Sequence, residues 1–234
     1  TWFDETMAMS MPDIVYHLGA MSAPGVAWQQ PELCAQVTGI GTLRLLQAVA
    51  AVAPPAKVIV AGSLATHGPY GAAKMYARAI AADCRDRGLA VSTIVMGGHH
   101  SPLRGASYLS QKVARHVQAV RDHKTISKLR LGWLGRWQDW GWAPDFMRVW
   151  AAAGDLDPGD YTLSTGDPHT VQQYVATCYE VAGLRWLDWV DRETTDGNPN
   201  ATDVPTISAE PDPALGLVQT KDFDGIVRAM IGDV

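Results

Sequence analysis

Three short apolar runs, each closed by a small residue, frame the first half of the chain. Residues 13–18 end at Gly19, residues 58–62 at Ser63, and residues 91–96 at Gly97-Gly98. Runs this short that lack polar alternation predict strands of a parallel sheet buried on both faces. Between them the period changes to that of a helix. Leu43, Leu46, Val49 and Val52 follow Gly39 and Gly41 and stop at Pro54-Pro55, a helix with a proline terminator. Residues 71–87 are alanine-rich and read as helix, with Gly88 placed to end it. Strand and helix alternating at this spacing predict βαβ units and a doubly wound parallel α/β sheet. Such sheets bind ligands beyond the carboxyl ends of their strands. Residues 20–22, Ser63 and residues 97–99 all fall there.

Beyond residue 100 the pattern loosens. A basic amphipathic helix is expected over 109–120 and a strand over 161–164. His169-Thr170 opens a helix with Val171, Tyr174, Val175, Cys178 and Val181 on one face, stopped by Gly183. Residues 191–212, rich in Thr, Asn, Asp and Pro, read as loop. No internal repeat is visible. The division implied is a sheet-bearing part over 1–98 and a smaller lobe over 99–234, some of whose segments return to the sheet.

Composition narrows the class. The 234 residues are 47% hydrophobic and 18% charged, which suits one compact domain or one domain with a small appendage. A net charge of −5 without a basic run argues against a nucleic-acid partner. No uninterrupted apolar stretch approaches the roughly 20 residues that span a bilayer, and no leader pattern opens the chain, so neither a membrane partner nor secretion is expected. Cys34, Cys84 and Cys178 are scattered without metal spacing and read as reduced thiols of a cytoplasmic protein.

The candidate chemistry centres on Tyr70 and Lys74. Four apart on a helix, they share one face, and a neighbouring ammonium lowers a phenol's pKa enough for acid/base work near neutral pH. Gly97-Gly98-His99-His100 raises the question of a metal. Adjacent histidines on extended backbone point to opposite faces, and no carboxylate or cysteine stands at ligand spacing, so no metal is expected and His99 is read as packing in the crevice. Trp133, Trp137, Trp140 and Trp142 crowd one segment, where stacking on a base or sugar competes with core filling; Trp140 is read as structural. Of the basic residues Lys112, Arg115, Arg121, Lys124, Lys128 and Arg130, most read as a solvated helix face, and Lys112 is the candidate phosphate contact.

Blocks along nearly the whole chain carry a family resemblance: residues 15–22 (VYHLGAMS), 30–32 (QPE), 41–46 (GTLRLL), 69–74 (PYGAAK), 99–105 (HHSPLRG), 139–141 (DWG), 164–171 (STGDPHTV) and 227–230 (VRAM). In these the chain resembles the GDP-mannose 4,6-dehydratase family of extended short-chain dehydrogenases/reductases. The resemblance implies a Rossmann-type fold, NADP as cofactor, a GDP-sugar substrate, a homo-oligomer, and dehydration of GDP-mannose to GDP-4-keto-6-deoxymannose. It also implies roles. Tyr70 is the acid/base, Lys74 lowers its pKa and holds the nicotinamide ribose, and Ser63 hydrogen-bonds the substrate hydroxyl. Gly19, Ala20, Ser22, Lys74 and His99 fall at cofactor positions. Gly98, Ser110, Lys112 and Gln138 fall at substrate positions.

The departures are as specific as the matches. The chain as given begins after the part expected to carry Gly-x-x-Gly-x-x-Gly, so the first βαβ unit is expected to be missing, and Gly39-Ile40-Gly41 is no substitute. The connection from Ser63 to Tyr70 is short, and Ala65 falls where the family has its catalytic Glu. Gly98 replaces an Asn, and Gln138 and Gln172 replace arginines, while Asn198-Pro199 replaces Arg-Pro. Arginine grips phosphate as a planar fork, which glutamine does not. Two readings stand: a family enzyme, or a catalytically inactive relative that binds a sugar nucleotide or a partner subunit.

Overall fold

The computed structural model describes residues 2–124, 126–132, 134–192 and 208–233. The chain opens with α1 (Trp2–Ser10), β1 (Ile14–His17), α2 (Pro24–Gln29), α3 (Pro31–Cys34), α4 (Gly41–Val52), β2 (Lys57–Ser63), α5 (Gly68–Asp86) and β3 (Val91–Met96). Next come β4 (His99–His100), α6 (Leu109–Arg121), β5 (Leu129–Leu131), β6 (Trp137–Asp139), β7 (Gly141–Trp142) and α7 (Ala143–Ala152). It closes with β8 (Asp160–Leu163), β9 (Pro168–Thr170), α8 (Val171–Val181), α9 (Trp186–Trp189), β10 (Val190–Arg192) and α10 (Phe223–Ile231). These elements form two units. The first is Thr1–Met96 with Met147–Leu163 and Pro211–Leu217; the second is Gly97–Phe146, Ser164–Glu210 and Val218–Val234. The leading segment of the first unit runs to Met96, and two later segments belong to the same unit.

The first unit is built on a parallel sheet in the order β1-β2-β3-β8, with Val15 opposite Val58, Val58 opposite Val91, and Ile94 opposite Tyr161. Val58, Val60 and Val91 share a core with Leu45, Leu46 and Val49 of α4 and with Ala81 of α5. Tyr16 and Met96 instead meet Trp150 of α7, whose ring centroid lies 6.2 Å from that of Tyr16 and whose indole N–H reaches Met96 Sδ at 3.1 Å. Helices thus cover both faces, as a parallel sheet requires.

One turn of π-helix, Ala35–Ile40, joins α3 to α4. The resulting helical run Pro31–Val52 is long and apolar enough to cross a membrane. The apolar-run criterion missed it because Glu32, Gln36, Arg44 and Gln47 interrupt the stretch. Leu46 and Val49 are fully buried in the core of the unit, so packing accounts for part of the apolar content. Helix α5 starts three residues earlier than periodicity indicated, because Pro69 occupies its first turn and Gly68 supplies a φ of +71°.

The second unit gathers α6, α8 and α10 around a core that includes Val117, Trp140, Tyr174, Cys178, Val227 and Met230. Its strands pair in twos: β4 with β7, β6 with β9, and β5 with β10. Thr170 caps α8 through a capping box with Gln173, the start that His169-Thr170 indicated. Helices α1, α2, α3, α7, α9 and α10 were not expected; α10 is set by Asp222, which accepts the Gly225 N–H at 2.8 Å, and by Gly232 at φ +72°. Trp133, Asn198 and Pro199 lie outside the described residues, as does most of the expected loop.

Candidate active site

In the first unit the polypeptide leaves the neighbouring strands β1 and β2 at Leu18 and Leu64. Ser63 is the last residue of β2, and its Oγ accepts the Ala65 N–H at 3.1 Å. Tyr70 lies in the first turn of α5 and Lys74 one turn on. Gly71 makes this possible. A Cβ there would sit 2.5 Å from the carbonyl carbon of Thr66 and 3.0 Å from the Ala65 oxygen, so the short connection lies directly against the helix. The Tyr70 ring is partly buried against Ala27, Cys34 and Ala73, with Met21 packed on the same cluster.

Lys74 is only 6% exposed. Its Nζ donates to the Ala61 carbonyl of β2 at 2.6 Å. Burial pulls its pKa down to about 8, with Cys34 acting in the opposite sense. The ammonium is therefore still largely charged at neutral pH, in a place where charge is costly. His17, at the end of β1, is driven to about 4 by burial and then by Lys74, so it is neutral. Its Nε2 lies 3.0 Å from Thr42 Oγ1, and the Thr42 hydroxyl donates to the Thr38 carbonyl at 2.7 Å. Thr42 oxygen is then the acceptor, which assigns the ring proton to Nε2.

Thr38 also fixes the segment after β1. Its Oγ1 accepts the Met21 N–H at 3.0 Å, and Cys34 Sγ lies 4.0 Å away. The π-helical turn places Thr38 and Thr42 where they do this, at 1% and 2% exposure; such turns recur at functional sites. The expected cofactor residues Gly19, Ala20 and Ser22 belong to this pinned segment, with Gly19 and Ser22 exposed and Ala20 partly so. His17, Thr38 and Thr42 were missed. Thr38 and Thr42 do stand four apart in a helical stretch, but nothing in the sequence marks the π-turn that aims Thr38 at Met21 and Thr42 at His17.

The second unit holds the remaining candidates. Three sequence blocks meet at Asp139, which is fully buried. Its carboxylate accepts the Thr165 N–H at 2.9 and 3.0 Å and the Thr165 hydroxyl, while Ser208 Oγ lies 3.4 Å away. Burial raises the Asp139 pKa and the Thr165 bonds oppose the rise. Gly98 O accepts the Gly141 N–H at 2.8 Å, and a Cβ on Gly98 would come 2.3 Å from the Asp139 carbonyl. Glycine there is explained by packing.

His99 stacks on Phe146 with ring centroids 5.4 Å apart, and its Nδ1 lies 3.1 Å from Gly97 O. His100 stacks on Trp140 at 4.5 Å, and Trp140 on Tyr174 at 4.3 Å. Burial lowers both histidine pKa values, so both are neutral ring partners. Ser110, expected to touch substrate, is buried, with its hydroxyl 3.1 Å from His100 Nδ1 and its carbonyl accepting from Tyr174. Lys112 is exposed on α6, and Gln138 is partly buried on β6. Of the other basic residues, Lys124 pairs with Asp122 and Lys128 with Asp191. Among the described residues no group of three metal-ligating side chains converges.

The family model described as GDP-mannose 4,6 dehydratase matches residues 2–68 and 61–214. GDP-mannose 4,6 dehydratase 2 of Arabidopsis thaliana is 28% identical over 245 residues, covering 95% of this chain and 65% of the relative. The Sinorhizobium fredii (strain HH103) GDP-mannose 4,6-dehydratase is 31% identical over 202 residues, covering 77% and 57%. That of Homo sapiens is 31% identical over 185 residues, covering 70% and 50%. The chain thus spans between about half and two thirds of the length of these curated relatives. Among solved structures, RMD from Pseudomonas aeruginosa complexed with NADPH superposes with a TM-score of 0.84 at 16% identity, over 98% of this chain and 84% of that one. The UDP-glucose 4-epimerase of Thermus thermophilus in complex with NAD gives 0.81 at 19% identity, over 99% and 80%. At these identities the likeness establishes the fold, a Rossmann-type parallel sheet.

Proposed function

This chain belongs to the GDP-mannose 4,6-dehydratase family, and from that premise we propose that it serves the NADP-dependent dehydration of GDP-mannose to GDP-4-keto-6-deoxymannose. The observation that carries the proposal is Lys74: a buried cation without a carboxylate partner among the described residues, one helical turn from Tyr70. A cofactor fits these surroundings. The segment 19–22 is held by Thr38, Gly19 leaves room beside the His17 ring, and the Lys74 ammonium is suited to ribose hydroxyls. When bound, NADP supplies the oxidising and then the reducing equivalents.

The residues of the chain handle protons. Tyr70 Oη takes the proton of the sugar C4 hydroxyl, Lys74 favours the phenolate that results from giving up its own, and the Ser63 hydroxyl positions the substrate oxygen. Loss of the C5 proton, with the C6 hydroxyl departing as water, needs a base, and Ala65 offers none. His67, in the same connection, has its Nδ1 2.9 Å from Thr66 Oγ1. With that nitrogen donating to the threonine, Nε2 is left as the base.

Two further parts of the reading concern assembly and location. Leu33 and Val37 of the helical run and Met75 and Tyr76 of α5 are 39–46% exposed, an apolar helical face suited to a second copy of the chain. Three free cysteines suit a reducing, cytoplasmic setting.

The test is turnover of GDP-mannose with NADP, alongside Tyr70→Phe. Turnover lost in the variant supports the assignment; equal turnover in both removes Tyr70 from the mechanism. A second reading rests on Ala65: the inactive relative. It expects no turnover in the wild type, with thermal stabilisation by GDP-mannose.

A further inference from the structure

The second unit holds a guanidinium that its own residues leave without a counter-charge. Arg136 immediately precedes β6. The segment around it is laced to the start of α8, since the Arg136 carbonyl accepts the Val171 N–H at 3.0 Å and the Leu134 carbonyl accepts the Gln172 N–H at 2.9 Å. The Arg136 side chain is partly buried, and its hydrogen bond is a long one of 3.4 Å from Nη2 to Gln138 Oε1. No ion pair within 4.0 Å joins Arg136 to a carboxylate among the described residues, and its side-chain bond to Gln138 ties it to one of two positions, 138 and 172, that the resemblance marks for phosphate. Burial is what lowers its pKa. A partly buried fork of five donors with one long bond to a neutral acceptor has donors left over for an anion.

The neighbours give the site its meaning. Residues 136 and 138 alternate on extended backbone and so face the same way, and Gln172 is exposed at the first turn of α8. Gln138 and Gln172 are the two positions where the resemblance places arginine. The fold brings both beside a third position, 136, that has an arginine of its own.

We propose that Arg136 is the anion-binding residue of the second unit, and that its ligand is the diphosphate of a nucleotide sugar. The assignment rests on reading the chain as a sugar-nucleotide enzyme. The two terminal nitrogens of Arg136 take two phosphoryl oxygens side by side, and Gln138 Oε1 steadies the fork from behind.

Calorimetric titration of the full chain with GDP, UDP, inorganic pyrophosphate, guanosine and NADPH tests this, comparing wild type with Arg136→Ala, Arg136→Lys and Arg136→Ala/Gln138→Arg. The expected result is a loss of about 10- to 100-fold in GDP affinity in Arg136→Ala, the usual weight of a charged hydrogen-bonded pair. NADPH affinity and the melting temperature are unchanged, Arg136→Lys is intermediate, and the double variant recovers part of the loss. Arg136→Ala binding GDP within twofold of wild type overturns the proposal, even if GDP-mannose is turned over. So does a wild type that binds none of the diphosphates. Equal Arg136-dependent binding of UDP and GDP supports the anion site while removing GDP-mannose as the preferred substrate.

Discussion

Lys74 Nζ sits 2.6 Å from the carbonyl oxygen of Ala61, so the cation paired with Tyr70 on α5 is anchored to the backbone of β2. That anchor holds a charge in the interior near the candidate acid/base, and it separates the contribution of Lys74 to stability from its contribution to chemistry.

Lys74→Met is expected to lower turnover by at least about 100-fold, the lower range for acid/base assistance, while the melting temperature at pH 7 stays level or rises. The folded pKa of about 8 lies below the ordinary 10.5. Between those values the unfolded chain holds a proton that the folded one has released, so this group makes stability rise with pH across that window. Urea titrations at pH 8 and pH 10 should show the rise in the wild type and a smaller one in Lys74→Met.

His17 works in the acid range. Its folded pKa of about 4 against 6.5 unfolded means the unfolded chain binds the extra proton between those values. Stability from this group is present above pH 6.5 and falls as pH drops toward 4, by on the order of 3 kcal/mol. His17→Gln should flatten that part of the stability profile; an unchanged slope would show that His17 protonates freely in the fold.

Gly71→Ala places a methyl 2.5 Å from the Thr66 carbonyl carbon, against backbone that cannot rotate away. A loss of about 2 kcal/mol or more is expected in urea unfolding. Turnover should fall with it as the residues 65–66 shift away from α5.

Thr38→Val keeps the shape and removes the acceptor for the Met21 N–H. The expected cost is about 1–3 kcal/mol for a buried donor left unpaired. Hydrogen exchange at Met21 should quicken while the α5 amides stay protected, and NADPH should bind more weakly.

The sheet-bearing part was legible because its signals are local. Glycine at the ends of apolar runs, and a helical period between them, located β1, β2 and β3 to within a residue or two at either end. The Tyr70–Lys74 pair was equally legible, since four residues on a helix always share a face. The second unit was not. Its strands of two or three residues carry no period, and β6 is specified by its partner β9 rather than by its own Trp137-Gln138-Asp139. Ser110 shows the limit at a single residue: a polar residue at a matching position turns out to serve His100 and Tyr174 inside the unit.

The sequence by itself determined the parallel α/β framework, the family, and the placing of Tyr70 and Lys74 on one helical face, because each depends on spacings within a single element. Tertiary structure decided the rest. It buried Lys74 over Ala61, tied Met21 to Thr38 through a π-turn, brought Thr165 to the Asp139 carboxylate and Gly98 to the Asp139 backbone, and set Arg136 beside Gln138 and Gln172. Such juxtapositions join residues tens of positions apart, and burial and charge acquire values only when those residues meet.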